Sequence, residues 1–192
     1  MSKIVLASTS PFRRELLNKL GLAYETDAPD IDESALPGEM PEQLVARLAE
    51  QKARAVAIRH PDSLIIGSDQ VAVNGDQILG KPGTHDKAVA QLEAASGKGV
   101  RFLTGLCLYN SASDRAQVIV EPFEVVFRPL SKAQIDNYLR TEQPYNCAGS
   151  FKSEGLGIAL FERLVGEDPN SLIGLPLIRL IRMLEQEGVA VI

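Results

Sequence analysis

The feature that most constrains the fold is a charged residue inside an apolar run. Leu64-Ile65-Ile66-Gly67 and Val71-Ala72-Val73 stand on either side of Ser68, Asp69 and Gln70. An apolar run of this length, rich in β-branched residues, is typical of a strand that is buried on both faces. Burying a carboxylate costs free energy unless a cation or a metal ion compensates its charge. The sequence therefore predicts a buried strand in which Asp69 has a positively charged partner.

The pattern along the rest of the chain predicts an α/β protein. Helix starts are marked by Ser10 followed by Pro11, by Pro41, by Thr84 and by Ser131, because Ser and Thr cap helices and Pro suits a first turn. Helices are predicted at about 11–20, 41–59, 85–96, 132–140 and 176–187, further strands at about 3–7, 23–26, 101–110, 117–127 and 189–192, and a loop at 145–157. No repeat, low-complexity tract or linker interrupts the chain, which predicts a single domain over residues 1–192.

Composition and charge argue against several classes of protein. The 192 residues carry a net charge of −5, which disfavours a nucleic-acid-binding face, because such faces are strongly basic. No window approaches the roughly 20 apolar residues of a membrane helix, and the opening MSKIVLAST is too short an apolar run for a signal peptide. Cys107 and Cys147 form neither a metal motif nor a disulfide framework, which favours the reducing cytoplasm. The oligomeric state stays open, and a homodimer is compatible with the sequence.

The buried strand is predicted to turn back as a hairpin at Asn74-Gly75-Asp76. A three-residue loop pairs Val73 with Gln77, and counting outward places Asp69 opposite Lys81, with directly opposed Cβ atoms about 4.5–5.5 Å apart. One interpretation is a buried structural ion pair. The other is an active-site carboxylate beside a phosphate-binding lysine, and the hairpin alone does not decide between them.

The stretch LASTSPFRRELL, residues 6–17, predicts a strand, a short Ser/Thr turn and a helix start. The free N–H groups and the positive dipole end of such a helix bind anions, and Arg13 in the first turn could add a bidentate contact to a phosphate. The alternative is an ordinary capped helix with a solvated Arg13 and with Phe12 packed on Leu16. Neither a P-loop nor a dinucleotide-binding fingerprint is present.

The helix predicted at 41–59 places Lys52 on its apolar stripe. Such a lysine either extends to the edge of the core or reaches an anion in a cleft. The preceding acidic loop holds Asp30, Asp32 and Glu33, which are either solvated charges or ligands of a divalent metal that serves a polyphosphate substrate. No Ser-His-Asp or Cys-His set is apparent. Together these features favour hydrolysis of a nucleoside triphosphate.

Four of these stretches resemble motifs of the Maf family of nucleoside triphosphate pyrophosphatases. LASTSPFRRELL resembles the family's LASxSPRRxELL, LAEQKA its LAxxKA helix, SDQV…GKP its D…GKP hairpin, and AGSFKSEGLG its late substrate loop. The motifs occur in the family's order over essentially the whole chain. The resemblance implies a single two-lobed α/β domain of the ITPase-like type, with a mixed twisted sheet that is flanked by helices and a central cleft.

The resemblance also implies metal-dependent hydrolysis of a nucleoside triphosphate between its α- and β-phosphates, with Mg²⁺ or Mn²⁺ as the cofactor. The products are a nucleoside monophosphate and pyrophosphate. By motif position, Asp69 accepts the proton of the attacking water and also helps to hold the metal. The other positions that the motifs imply are Ser8, Arg13, Lys52 and Lys81 for the phosphates and Glu33 for the metal.

Three positions depart from the common family pattern. Phe12 replaces a frequent arginine, Gln70 a frequent threonine and Glu154 a common glutamine. These departures match the branch of the family that acts on 7-methyl-GTP, and they imply roles in substrate specificity. Methylation makes the guanine cationic, and a cation favours an aromatic face and a carboxylate. The alternatives are a pyrophosphatase for dTTP or UTP and a non-catalytic nucleotide-binding regulator of septum formation.

Overall fold

The computed structural model of the chain describes residues 2–192. The strands are β1 (Lys3–Ala7), β2 (Glu25–Asp27), β3 (Ser63–Asn74), β4 (Gln77–Leu79), β5 (Gly99–Asn110), β6 (Arg115–Phe127) and β7 (Phe161–Val165). The helices are α1 (Pro11–Asn18), α2 (Pro41–Ala57), α3 (His85–Ala95), α4 (Lys132–Glu142), α5 (Pro169–Ile173) and α6 (Leu177–Gln186), with short 3₁₀ helices at Ala148–Ser150 and Leu156–Leu160. Within residues 2–192, no helix has both the length and the apolar character to span a bilayer.

All seven strands belong to one mixed sheet. Its order is β2-β1-β3-β5-β6-β7, and β4 pairs with β3 outside this path. β1 runs parallel to both β2 and β3, whereas the β3–β4 and β6–β7 pairs are antiparallel. The α/β class and the mixed sheet expected from the sequence are therefore confirmed.

The chain falls into two compact units. The first contains the chain up to Gln70 together with Thr104–Glu121 and Asp168–Ile192. The second contains Val71–Leu103 and Pro122–Glu167. Since β3, β5 and β6 each contribute residues to both units, the continuous sheet strands are shared between them.

In the first unit, the apolar run of β3 is buried on both faces. Ile65 packs with the small residues of α2 in one hydrophobic cluster, while Leu64 and Ile66 pack in another cluster with the leucines of α1 and α6. Successive side chains of a strand point to opposite faces. Helices on both sides of the sheet thus explain why this strand is continuously apolar instead of alternating.

Two glycines let α2 lie directly against the backbone of the sheet. A Cβ atom at Gly67 would lie 2.1 Å from the carbonyl oxygen of Ala49, and one at Gly105 would lie 2.1 Å from that of Val45. Neither distance is compatible with a side chain. β3 and β5 therefore each use a glycine where the helix crosses them, and this contact fixes the height of α2 above the sheet.

The core of the second unit is built around four phenylalanines in edge-to-face contact. Phe151 packs against Phe102, Phe127 and Phe161 with ring centroids 5.4, 5.4 and 5.2 Å apart. These distances lie in the range preferred by aromatic pairs. Phe151 belongs to the segment predicted as a loop, so this irregular segment is anchored by a buried aromatic ring.

Three sequence-based expectations for secondary structure were wrong. The predicted strand at 189–192 does not form, and Val189 instead packs as a buried side chain in the cluster that contains α6. β7 was not predicted because its five residues are mostly exposed and lack an apolar pattern, and α5 because five residues are too few for a helical pattern to identify. The other predicted helices and strands are present, with ends displaced by a few residues.

We expect Gly67→Ala to destabilise the protein by about 1–3 kcal/mol, the usual cost of overpacking a dense interior. The added methyl group meets the backbone of α2, which cannot move without separating the helix from the sheet. Denaturant unfolding measures the change. Gly80→Ala is the matched control, because nothing lies within 4 Å of its Cβ position, and it should change stability by no more than about 0.5 kcal/mol. Equal midpoints for the two variants would contradict the close packing of α2.

Candidate active site

Asp69 lies on the face of β3 that is covered by α2. Ile65, Gly67 and Asp69 all lie on this face because strand side chains alternate. On α2, Lys52 directly precedes Ala53, which packs in the same hydrophobic cluster as Ile65. Lys52 Nζ donates a hydrogen bond of 2.7 Å to Asp69 Oδ1. Both residues are buried, with 6% and 8% of their surfaces exposed. The positively charged partner that the apolar strand requires is therefore Lys52.

A second carboxylate approaches the same ammonium group. Lys52 Nζ lies 3.2 Å from Glu33 Oε2, and the Glu33 side chain is about half exposed, at 55%. Glu33 comes from the acidic loop and Asp69 from the sheet. Lys52 thus joins two carboxylates from separate elements, one buried and one open to solvent.

The acidic loop is held to α2 by an arginine clamp. Arg47 donates from Nε and Nη2 to the two carboxylate oxygens of Glu39, at 2.6 and 2.8 Å, and from Nη2 to the Ser34 carbonyl oxygen at 3.0 Å. These hydrogen bonds lower the pKa of Glu39 to about 2. The clamp therefore persists at physiological pH and holds the loop that carries Glu33 beside the helix that carries Lys52.

Several hydrogen-bonding groups at the start of α1 already pair with one another. Ser10 caps the helix as predicted and accepts a hydrogen bond of 3.4 Å from the Arg13 amide, with Pro11 in the first turn. Ser8 Oγ accepts from the Ser10 amide at 3.1 Å, which leaves its own hydroxyl hydrogen free to donate. Phe12 is 42% exposed and does not enter the core. The group that α1 presents most directly to an anion is the Arg13 side chain.

Arg13 lies close enough to the two carboxylates of the site for their charges to act on it. Its Nε donates a hydrogen bond of 2.8 Å to the carbonyl oxygen of Gly174. Burial lowers the pKa of Arg13, and the nearby charges of Asp69 and Glu33 oppose that shift. The first unit thus brings together two cations, Arg13 and Lys52, and two carboxylates, Glu33 and Asp69. Their roles toward a ligand stay predictions.

The predicted pairing of Asp69 with Lys81 was wrong. The hairpin turns through two residues, so Asn74 pairs with Gln77 and Val73 with Ile78. Gly75 has a φ of 61°, which suits the first central position of a two-residue hairpin turn. This register differs by one residue from a three-residue loop, and β4 ends at Leu79 before Lys81 is reached. Lys81 therefore lies outside the strand pairing.

Gln70 points to the face of β3 opposite Asp69. Its Nε2 donates to the carbonyl oxygens of Ser171 and Leu172, at 2.8 and 3.2 Å, and to Thr104 Oγ1 at 3.0 Å. The acceptors belong to α5 and β5. The sequence could have indicated this opposite face, because Gln70 follows Asp69 in a strand and successive side chains alternate between faces. No sequence pattern indicated the short helix α5. A direct contact of Gln70 with a nucleotide stays a prediction.

In the second unit, the charges of Lys81 and Glu154 both act on the thiol of Cys147. Burial raises the pKa of Cys147, the positive charges of Lys152 and Lys81 oppose the shift, and Glu154 adds to it. Lys81 and Glu154 are both exposed, and Glu154 Oε2 accepts only a long hydrogen bond of 3.3 Å from Ser153. Both side chains are accessible to a ligand.

The carboxylates of the site do not form a complete metal cage. Within residues 2–192, no group of three or more His, Cys, Asp or Glu side chains is arranged to hold a metal ion. Glu33 and Asp69 supply two oxygen-bearing groups around one ammonium. Such a set suits Mg²⁺ or Mn²⁺, since Mg²⁺ commonly binds through one or two carboxylates, water and substrate phosphates.

Comparisons with known proteins show the family and the fold of this chain. A family model described as Maf-like protein matches residues 3–187. A 7-methyl-GTP pyrophosphatase from Nitrosococcus oceani is 64% identical over 189 residues, covering 98% of this chain and 95% of its own length. One from Alcanivorax borkumensis is 62% identical over 186 residues, covering 97% and 94%. The structure of the Staphylococcus aureus Ham1 protein has the same fold, with a TM-score of 0.53 and 16% identity over 97% of this chain and 100% of that one.

We expect Lys52→Met to destabilise the protein by about 3–5 kcal/mol, because it leaves the Asp69 carboxylate buried without a partner. The double variant Lys52→Met/Asp69→Asn should recover most of this loss, since it contains no unpaired buried charge. Chemical denaturation of the four proteins in this cycle gives the coupling free energy.

Lys3→Met is the control for loss of a lysine charge. Lys3 pairs with Glu25 at 2.9 Å, but the two side chains are 47% and 58% exposed, and such a pair contributes only about 0–1 kcal/mol. If Lys52→Met were no more destabilising than Lys3→Met, the Lys52–Asp69 pair would not be the compensating interaction of the buried strand.

Proposed function

The chain belongs to the Maf family, and we propose that it hydrolyses 7-methyl-GTP between the α- and β-phosphates to 7-methyl-GMP and pyrophosphate. The observation that carries the proposal is the buried Lys52–Asp69 pair, with Glu33 and Arg13 beside it. A general base, cations for phosphate and carboxylates for a metal thus occur together. The choice of substrate is supported by the two relatives that share 64% and 62% of their residues with this chain.

Asp69 is the proton acceptor in this proposal. Its Oδ1 is held by Lys52, while Oδ2 accepts no hydrogen bond within residues 2–192 and is not sealed from solvent. A water molecule attacks the α-phosphorus, its oxygen forms the new P–O bond of the nucleoside monophosphate, and its proton passes to Oδ2. The phosphoanhydride bond between the α- and β-phosphates breaks, and pyrophosphate leaves with the bonding electrons.

The cations of the first unit bind the triphosphate. Arg13 presents a planar guanidinium that suits bidentate contact with phosphate oxygens, and Lys52 supplies a compact charge next to Asp69. Ser8 is buried, with 6% of its surface exposed, and its hydroxyl can donate to a phosphate oxygen. For Lys81, which is exposed in the second unit, a contact with phosphate is the role that its position in the family motif implies.

Glu33 and Asp69 would hold the divalent metal, Mg²⁺ or Mn²⁺. When bound, the metal neutralises negative charge on the triphosphate and its leaving group. The fit rests on the donor set, because two carboxylates already converge on one positive charge. Since the protein supplies only two of the usual ligands, the metal should bind together with the nucleotide.

Recognition of the base is assigned to two exposed side chains. Phe12 offers an aromatic face to the cationic methylated ring. Glu154 offers an exposed carboxylate that accepts a long hydrogen bond from Ser153, and an opposite charge in a partly dry site stabilises a cationic base. We also place the reaction in the cytoplasm, because Cys107 and Cys147 are both free thiols.

Asp69→Asn should lower turnover by about 10²–10⁴-fold, the usual contribution of a general base, while nucleotide affinity measured without metal changes little. The assay is pyrophosphate release from 7-methyl-GTP, GTP, dTTP and UTP with Mg²⁺ or Mn²⁺. The wild type should prefer 7-methyl-GTP and lose activity when EDTA removes the metal. Asp76→Asn, in the exposed turn after the same strand, is the control and should retain full activity. Release from none of the nucleotides would favour a binding protein over an enzyme.

Glu154→Gln should lower kcat/KM for 7-methyl-GTP about tenfold, equivalent to about 1.4 kcal/mol, and should affect GTP much less. The substitution keeps the size and removes the charge that attracts the cationic base. Glu162→Gln removes another exposed carboxylate of the second unit and should leave both substrates unchanged. An equal loss for 7-methyl-GTP and GTP would show that Glu154 does not sense the charge of the base.

A further inference from the structure

The carbonyl oxygens at residues 171–174 accept hydrogen bonds from side chains of other elements. Gln70 donates to the carbonyls of Ser171 and Leu172. Gly174 accepts from Arg13 Nε at 2.8 Å and lies 3.2 Å from Ser68 Oγ. Carbonyls at the end of a helix lack partners within that helix. The C-terminal end of α5 is therefore completed by the strand that carries Asp69 and by the arginine of the site.

The two donors on β3 lie on either side of Asp69 in sequence. Ser68 and Gln70 point to one face of the sheet, and Asp69 points to the other. Asp69 thus binds α2 through Lys52, and Gln70 binds the end of α5 on the other side. The Ser68 hydroxyl donates to the Gly105 carbonyl oxygen at 2.9 Å and also lies 3.2 Å from that of Gly174. Any displacement of residues 171–174 acts on the same three residues that position the carboxylate.

The segment itself is firmly held. Asp168 is almost fully buried, and its carboxylate accepts from the Asn170 amide at 2.9 Å and from the Ile178 amide at 2.9 Å. One side chain thereby caps α5 and also fixes the start of α6. Gly174 has a φ of 136°, a conformation that favours glycine, and its carbonyl is held toward Arg13.

The remaining donors of Arg13 are free for a ligand. Within residues 2–192, only its Nε is engaged as a side-chain donor, and neither Nη1 nor Nη2 is buried without a partner. A guanidinium has a rigid fork of donors. Fixing Nε on one carbonyl therefore fixes the direction in which both terminal nitrogens point.

We propose that residues 171–174 form a positioning element that sets the orientation of the Arg13 guanidinium toward the phosphates, and that Gln70 is a positioning residue acting through this element. The inference rests on the proposed function, because the phosphates are those of the substrate. It gives Gln70 a role in phosphate binding that is independent of the base. Gln70 donates hydrogen bonds to carbonyl oxygens of α5. Gly174 directly follows α5, and its carbonyl oxygen orients Arg13 by accepting a hydrogen bond from Nε.

The test is a double-mutant cycle between Gln70→Leu and Arg13→Ala, read as the Kd for inorganic pyrophosphate with Mg²⁺ and as KM and kcat for 7-methyl-GTP. Gln70→Leu alone should weaken pyrophosphate binding and raise KM about tenfold, the lower end of what a hydrogen bond to a charged group contributes. In the Arg13→Ala background the same substitution should have little effect. Binding of the nucleoside 7-methylguanosine should be unchanged.

The control is Gln117→Leu. Gln117 also donates its amide from a strand to a helix carbonyl, that of Met183 at 3.2 Å, but in contact with α6. This variant should leave pyrophosphate affinity at the wild-type value. If Gln70→Leu does not fold, Gln70→Met replaces it in the cycle, because methionine has a similar length, carries no charge and cannot donate to the carbonyls.

Three results would overturn the inference. Equal losses from Gln70→Leu with and without Arg13 would show that Gln70 does not act through the arginine. Weaker binding of 7-methylguanosine would show that Gln70 contacts the base. Equal losses in Gln70→Leu and Gln117→Leu would indicate only general destabilisation. A wild type that neither binds pyrophosphate nor hydrolyses any nucleotide would instead overturn the proposed function, and that result is seen before any variant is made.

Discussion

The close contact of α2 with the bare backbone of the sheet is the constraint on which the site depends. Gly67 and Gly105 allow the helix to approach as far as its own carbonyl groups permit. At that distance Lys52 reaches Asp69 with a hydrogen bond of 2.7 Å, and neither charge is left buried alone. A helix held farther away would leave a carboxylate inside an apolar strand, which is a costly arrangement. The lack of a side chain at Gly67 and Gly105 is thus a condition for burying the charges of Lys52 and Asp69 at this position.

Local patterns predicted most of the fold because each is contained in a few consecutive residues. The continuous apolar run predicted β3, and Ser10 predicted the start of α1. The apolar stripe of α2 placed Lys52 beside the core but left open whether its ammonium is buried, as the structure has it. The partner of Asp69 could not be predicted in the same way. Lys81 was chosen because the prediction assumed a three-residue turn. The turn has two residues, which moves Lys81 out of register with Asp69. Register errors of this kind reassign every contact beyond the turn.

The residues of the candidate site were easier to predict than the hydrogen bonds that hold them in place. Motifs identified Arg13, Glu33, Lys52 and Asp69, and the first unit brings these four together. The sequence did not indicate that an arginine clamp fixes the acidic loop or that a five-residue helix supports Arg13. Such supports rely on carbonyl oxygens, which every residue carries, so no residue type identifies them.

The four-phenylalanine cluster has a thermodynamic consequence for the loop that carries Glu154. Loops around binding sites are commonly mobile, and ordering them on binding reduces affinity. Here Phe151, three residues before Glu154, is locked among three other rings. Much of the conformational entropy of this loop is therefore given up when the protein folds. A ligand that meets Glu154 encounters a carboxylate whose backbone is already restrained, so less of its binding free energy is spent on ordering the protein.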